Sequence, residues 1–365
     1  MIYLIFFFVA LVLSINFTKI SSWLAFRFKI IDDPSRDPGR RIHQKPIPLL
    51  GGLALYLSFF ITLFILLAYD QWPQGEVSFK NLIGVFLGST ILIIGGILDE
   101  KKDFKPRYQF IFSILAILVV MIFGVGIEHI NNPFGQGMIL LENYKIEILN
   151  IGGVPYYFSW PADLITFAWI FLVIYAIKLL AGLDGLVPGV VSIGSLIIFC
   201  FCVFTAFVQP QVAFLAIILA GISLGFLFFN FHPAKIFLGT SGEMFLGLML
   251  GVLAIISGSK IATLLLILGI PILDLVWVFF RRIFKEKCSP FKADRKHLHF
   301  RLLDFGFSHR GAVIFLWLLS LIFGLIGLFF PTTKIKMIAF LILGLVMVAL
   351  AMVVTRKKQK LESNK

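Results

Sequence analysis

The chain has 365 residues, of which 59% are hydrophobic and only 14% charged, with a net charge of +13. Soluble domains carry about 25% charged residues, so this composition excludes a soluble globular protein. The runs are continuously apolar instead of alternating, which excludes a β-barrel, and no aromatic-basic platform accompanies the positive charge, which excludes nucleic acid as a partner.

A helix needs roughly 20 mostly apolar residues to cross the hydrocarbon core. Eleven such runs are predicted: 2–26, 49–69, 81–98, 108–127, 161–180, 187–208, 211–230, 242–258, 261–280, 311–330 and 335–354. Backbone amides in lipid must pair internally, so these runs are helices and the fold class is all-α and polytopic. The first run has no basic n-region and no small-residue cleavage site, and is read as a retained helix. Cys200 and Cys202 lie inside a run and Cys288 in a connection, which suggests no disulfide framework.

Of the 32 Lys and Arg, 26 fall in one alternate set of connections and 5 in the other. The positive-inside bias therefore places the N-terminus outside and the C-terminus in the cytoplasm of a cell-membrane protein. Residues 1–355 form a single transmembrane domain, and 356–365 a basic, disordered tail. The longest outer connection, 128–160, is expected to be a folded loop or short hairpin.

Five polar clusters stand in the connections assigned to the inner face. The first, 40–52, runs Arg40-Arg41-Ile42-His43-Gln44-Lys45 into Pro46-Ile47-Pro48-Leu49-Leu50-Gly51-Gly52. Topology explains its charge but not its Pro and Gly punctuation. The second ends a span in Asp99-Glu100-Lys101-Lys102-Asp103, where a solvated helix end is the plainer account. The third is Lys178-Leu179-Leu180-Ala181-Gly182-Leu183-Asp184-Gly185. Glycines beside an acid let backbone approach a ligand, while snorkelling and helix capping account for Lys178 and Asp184 equally well. In the fourth, Asn230 to Glu243, the run Gly239-Thr240-Ser241-Gly242 opens a helix whose free N–H groups suit an anion such as phosphate. A plain cap by Thr240 or Ser241 is the alternative, with Glu243 supporting the first turn. The fifth is Asp294-Arg295-Lys296-His297-Leu298-His299, basic and imidazole-rich, suited to phosphate or proton transfer more than to zinc. Asp274, inside a span beside Pro271, is placed to reach this site or to pair with Arg281 or Arg282.

In this order and on one face, the five clusters resemble the polyprenyl-phosphate N-acetylhexosamine-1-phosphate transferase family (glycosyltransferase family 4) over essentially the whole chain. The resemblance implies transfer of a HexNAc-1-phosphate from a UDP-sugar to a polyprenyl phosphate such as undecaprenyl phosphate, with Mg²⁺, at the cytoplasmic face. Such a reaction initiates cell-envelope glycan lipids. Its partners are the UDP-N-acetylhexosamine, the polyprenyl phosphate and membrane lipid, and it leaves room for a homodimer. Carried over by position, Asp99, Glu100 and Asp184 are the catalytic acids. Lys45, Lys178, Asn230, Phe237, Arg295, His297 and His299 are the substrate-binding residues. Phe237 is expected to stack on uracil, and Asp184 is the remaining candidate metal ligand.

Several positions depart from the family pattern. Glu100 stands where a second Asp is usual, Gln109 where Lys is usual, Lys178 where Asn is usual and Ala181 where Asp is usual. Thr240 replaces the Asp expected to hold Mg²⁺, and Phe300 replaces a third His. The ammonium of Lys178 is accordingly expected to stand in part for Mg²⁺ in facing diphosphate. The alternative function is a non-catalytic or repurposed relative that binds lipid phosphate or nucleotide-sugar without transfer. A transporter is disfavoured, because such proteins set charges near mid-membrane in broken helices.

Overall fold

The computed structural model describes all residues except 35–44, 70, 76, 133–136, 152–153, 206–207, 259–260, 288–296, 331 and 364–365. In chain order the elements are α1 (Ile2–Phe28), β1 (Ile31–Asp32), β2 (Ile47–Pro48), α2 (Gly51–Ala68), α3 (Phe79–Lys102), α4 (Pro106–Ile122), β3 (His129–Asn131), β4 (Met138–Leu140), β5 (Glu142–Ile151) and β6 (Val154–Pro161). There follow α5 (Ala162–Leu180), α6 (Leu186–Phe204), α7 (Pro210–Asn230), α8 (Gly239–Ile256), α9 (Ile261–Ile267), α10 (Gly269–Phe280), a π-helical turn (Arg281–Glu286), α11 (Leu298–Phe305), α12 (His309–Phe329) and α13 (Thr333–Ser363).

Each of the eleven expected spans coincides with a helix or a helix pair. Eight helices among the described residues are long and apolar enough to cross a membrane, or nine if the bent pair counts as one span. The protein is therefore an all-α, multi-pass membrane protein, with only small two-stranded sheets among the described residues. Expected and observed helices differ in three places. The fourth span is short and ends at Ile122. The single span expected over 261–280 is bent by 77° between α9 and α10. Pro271 accounts for the break: a proline ring clashes with the carbonyl four residues back, and that carbonyl belongs to Ile267, the last residue of α9. The tail expected to be disordered continues α13 as far as Ser363, since Lys, Arg, Gln and Glu are good helix formers.

The core sits around α7 and α8, whose most apolar windows are 78% and 83% buried, whereas α1 is 28% buried and faces outward. α8 packs on α2, α3 and α5, and α7 on α1, α2 and α6. Without a hydrophobic force between helices in lipid, small residues set how closely they approach. At the start of α8 the approach is extreme. A Cβ on Gly96 would lie 2.3 Å from Ser241 Cα, and one on Gly52 2.3 Å from Gly242 N. The Pro-x-Pro-x-x-Gly-Gly segment now has its explanation. β2 and the first turn of α2 run against 237–238, with Phe237 N–H donating to Pro48 O (2.8 Å) and Gly52 N–H to Leu238 O (2.9 Å). The connection expected to be a loop or hairpin over 128–160 forms two antiparallel hairpins, β3–β4 and β5–β6. They sit at the end of the bundle opposite the polar clusters.

Candidate active site

The ends of α3, α5 and α7 and the starts of α4, α6, α8, α11 and α12 meet at one end of the bundle, joined by hydrogen bonds between residues far apart in the chain. Asp99 is buried at the last turn of α3, 7% exposed. Its Oδ1 accepts from Phe104 N–H (3.1 Å) and its Oδ2 from Gln109 Nε2 (2.9 Å). The Gln109 carbonyl oxygen in turn accepts a short hydrogen bond from Lys178 Nζ, at the end of α5. Carboxylate, amide and ammonium thus form one chain across α3, α4 and α5. Lys178 also lies within electrostatic reach of Glu243 in the first turns of α8.

Glu100 points the other way. Its Oε1 accepts from both Ser241 N–H (3.0 Å) and Ser241 Oγ (2.7 Å), so the carboxyl sits on the N-terminus of α8. An acid there meets free N–H groups and the positive end of the helix dipole. Its Oε2 is buried and has no hydrogen-bond partner. Thr240 is half-buried beside it in the same first turn.

A second cluster surrounds Asp184. Its Oδ2 accepts from His232 Nδ1 (2.7 Å) and from Ala234 N–H (3.2 Å), while its own N–H donates to His309 Nε2 (2.9 Å). The two imidazoles stack with centroids 3.9 Å apart. A ligand atom from each of Asp184, His232 and His309 lies within 4.8 Å of the other two. The His309 Nε2 lone pair is already taken by the Asp184 amide, and His232 Nδ1 by the Asp184 carboxylate. The set is therefore a hydrogen-bond network, and two imidazoles are in any case poor ligands for the oxygen-seeking Mg²⁺. Arg310 closes the cluster by donating from Nε to His232 O (2.9 Å).

Asn230 ties the third and fourth sequence clusters together. Its Oδ1 accepts from Gly185 N–H (2.9 Å) and its Nδ2 donates to Ile236 O (2.9 Å). Gly185 holds φ 81°, the left-handed region open to glycine. Asn230 is 5% exposed, so it acts by fixing both loops.

On α10, Asp274 accepts from His297 Nδ1 (2.8 Å) and from Leu298 N–H (3.3 Å). A carboxylate only accepts, so His297 carries its proton on Nδ1. This is the reach across to the site that the sequence allowed for Asp274. His299 is 3% exposed, and its Nε2 is buried without a hydrogen-bond partner. A Cβ on Gly182 would stand 2.2 Å from that nitrogen. Burial lowers the His299 pKa to about 4, against the raising effect of Asp274, so the ring is neutral near pH 7.

The structure thus brings Asp99, Glu100, Lys178, Asp184, Asn230, His297 and His299 together at one end of the bundle. Phe237 is half-buried at the α2–α8 junction. Lys45 is exposed two residues before β2. Arg295 lies outside the described residues. Sequence reasoning missed four contributors. Ser241 and His232 lay within a quoted cluster, Gln109 was noted only as a departure, and His309 carried no local signal beyond its place after a basic loop.

The profile of glycosyl transferase family 4 matches residues 82–258. That stretch spans Asp99, Gln109, Lys178, Asp184, Asn230 and Ser241. A decaprenyl-phosphate N-acetylglucosaminephosphotransferase of Mycolicibacterium smegmatis is 30% identical, over 82% of this chain and 76% of its own. A phospho-N-acetylmuramoyl-pentapeptide-transferase of Borreliella burgdorferi is 31% identical, over 82% and 85%. The chain belongs to glycosyl transferase family 4. A probable undecaprenyl-phosphate N-acetylglucosaminyl 1-phosphate transferase of Bacillus subtilis is 29% identical over 93% of this chain and 88% of the relative. The family likeness is thus not confined to the matched stretch.

Proposed function

We propose that the protein transfers a HexNAc-1-phosphate from a UDP-sugar to a polyprenyl phosphate at the cytoplasmic face of the cell membrane. That transfer starts a cell-envelope glycan lipid. The observation that carries it is the chain Asp99–Gln109–Lys178, beside Glu100 on the N-terminus of α8, in a member of this family. It places cationic and hydrogen-bonding groups at the end of a lipid-embedded bundle. There a lipid phosphate and a water-soluble nucleotide can meet.

In the reaction, an oxygen of the polyprenyl phosphate attacks the phosphorus that carries the sugar. A new P–O bond forms, the bond to the bridging diphosphate oxygen breaks, and UMP leaves with that oxygen and the electron pair. The attacking phosphate is already anionic, so no proton need be removed from it. Lys178 offsets phosphate charge, and Gln109 and Asp99 hold its ammonium in place. Asn230 keeps the Gly182–Gly185 turn against the 231–236 turn, and Asp274 orients His297 so that its Nε2 faces away from the dyad. A divalent cation such as Mg²⁺ would supply further charge neutralisation of the diphosphate. Support for it lies in the hard oxygen donors Asp99 and Glu100, whose Oε2 has no other partner.

The test is UMP release by purified protein given undecaprenyl phosphate and a panel of UDP-N-acetylhexosamines, with Mg²⁺ and with EDTA. Release that needs both substrates is expected. Binding of either substrate without UMP under all conditions would overturn transfer in favour of a binding role.

A further inference from the structure

The β5–β6 hairpin, between α4 and α5, turns its apolar face outward. Successive strand residues point to opposite faces, and residues paired across two strands share one. Tyr144 pairs with Trp160 and Ile146 with Phe158, so these four side chains form one face. Tyr144 is 69%, Ile146 60% and Trp160 48% exposed. The other face carries Lys145 and Glu147, and its Ser159, paired with Lys145, is only 8% exposed. An antiparallel sheet beside water turns its apolar face to the core and its polar face out. This hairpin does the reverse, and a lone two-stranded sheet is marginal in water unless its apolar face is covered.

The neighbouring helices indicate the cover. At the same end of the bundle exposed aromatic rings stand just after α2 (Tyr69), at the start of α3 (Phe79) and at the ends of α6 (Phe204) and α12 (Phe329). All four helices are candidate spans, and aromatic rings gather where spans leave the lipid. Trp160 lies two residues before α5, another such span, whose first-turn Leu164 is exposed. Ser159 N–H donates to Asp163 Oδ2 (2.7 Å) in that first turn, which ties the root of the hairpin to the span. Trp and Tyr suit this level, because the ring is apolar and its N–H or O–H still reaches water.

We infer that this face of the hairpin rests on the membrane surface at the end of the bundle opposite the candidate active site. Tyr144, Ile146, Phe158 and Trp160 sit among the lipid headgroups, and Lys145 and Glu147 point away from them. The occupant is lipid and not a second copy of the chain, because the face joins at Trp160 a surface that lipid already covers. The inference holds whether or not the protein is a transferase.

The experiment places a nitrobenzoxadiazole label on Ile146→Cys and, separately, on Lys145→Cys, in the full chain carrying Cys200→Ala, Cys202→Ala and Cys288→Ala. Each protein is reconstituted into phosphatidylcholine–phosphatidylglycerol vesicles, with and without bromine on the acyl chains next to the headgroup. Emission from position 146 should be lost in the brominated vesicles, while emission from position 145 is retained. Labels that bromine quenches equally, or leaves equally bright, overturn the inference. Blue-shifted emission at 146 that bromine leaves untouched and that grows with protein density overturns it in favour of a second copy. Should the cysteine-free chain not fold, the native chain is compared with Trp160→Phe in the same vesicles. Bromine should then remove the tryptophan emission that the native chain has and the variant lacks, and a difference spectrum that bromine does not change overturns the inference.

Discussion

Lys178 and Gln109 touch across 69 residues of chain, ammonium to amide carbonyl, and the amide passes the contact on to Asp99. The family resemblance puts Lys at position 109 and Asn at position 178. The structure shows that the two departures face each other, so the ammonium and the amide have exchanged sides of one contact. Lys178 therefore restores a cation that position 109 lacks.

Reversing the exchange tests this. Gln109→Lys alone would set two ammonium groups against each other, and Lys178→Asn alone would leave two amides and no cation. Each single variant is expected to lose UMP release by about 10²-fold or more, the usual effect of removing one positioned electrostatic group. The double variant should recover most of it. Two losses of about 2.7 kcal/mol each against less than about 1.4 kcal/mol in the double variant make a coupling of about 4 kcal/mol in the double-mutant cycle; additive losses would show that the contact is incidental.

Glu100 and Ser241 make the next prediction. Ser241→Ala removes the 2.7 Å hydroxyl contact but keeps the backbone one. A loss of about 1–2 kcal/mol in unfolding free energy is expected for one such hydrogen bond to a buried acceptor. The larger Ser241→Val should do more damage, because Gly96 leaves no room beside Ser241. Thermal unfolding in detergent reads both.

Asn230 holds two backbone groups with one amide. Asn230→Ala leaves Gly185 N–H and Ile236 C=O buried without partners, at about 1–3 kcal/mol each. Asn230→Asp keeps the acceptor for Gly185 but sets a buried carboxylate oxygen against Ile236 C=O, so it should destabilise at neutral pH at least as much as the alanine variant. Native-like thermal unfolding of either variant would contradict the bracing role.

His299 predicts a pH dependence. Its pKa falls from 6.5 to about 4 in the folded protein, chiefly through burial. Between those values the unfolded chain binds the extra proton, so stability rises with pH there and falls as the pH drops from about 6.5 towards 4. At 1.36 kcal/mol per pKa unit the change is about 3 kcal/mol. His299→Gln should flatten a melting-temperature series over this range, and an unchanged slope would assign the pH dependence to other groups.

Much of this architecture could be read along the chain. Lipid tolerates only internally paired backbone, so long apolar runs had to be helices, and the placement of Lys and Arg gathered the polar clusters into one set of connections. The bend at 261–280 is not among the expected features, although Pro271 marks the carbonyl that is lost. What the sequence left open was which polar residues touch. In a membrane bundle both the lipid-facing and the buried sides of a helix are apolar, so no 3.6-residue period marks the face that turns inward. Whether Lys178 met lipid, water or Gln109 depended on the rotation of α5 against α4. Whether Glu100 faced solvent or capped α8 depended on the close approach that Gly96 and Gly52 allow. The pairings Glu100–Ser241, Asp184–His309 and Asp274–His297 join residues 141, 125 and 23 positions apart. Helix packing decided them, because only packing sets the distances over which those groups can bond.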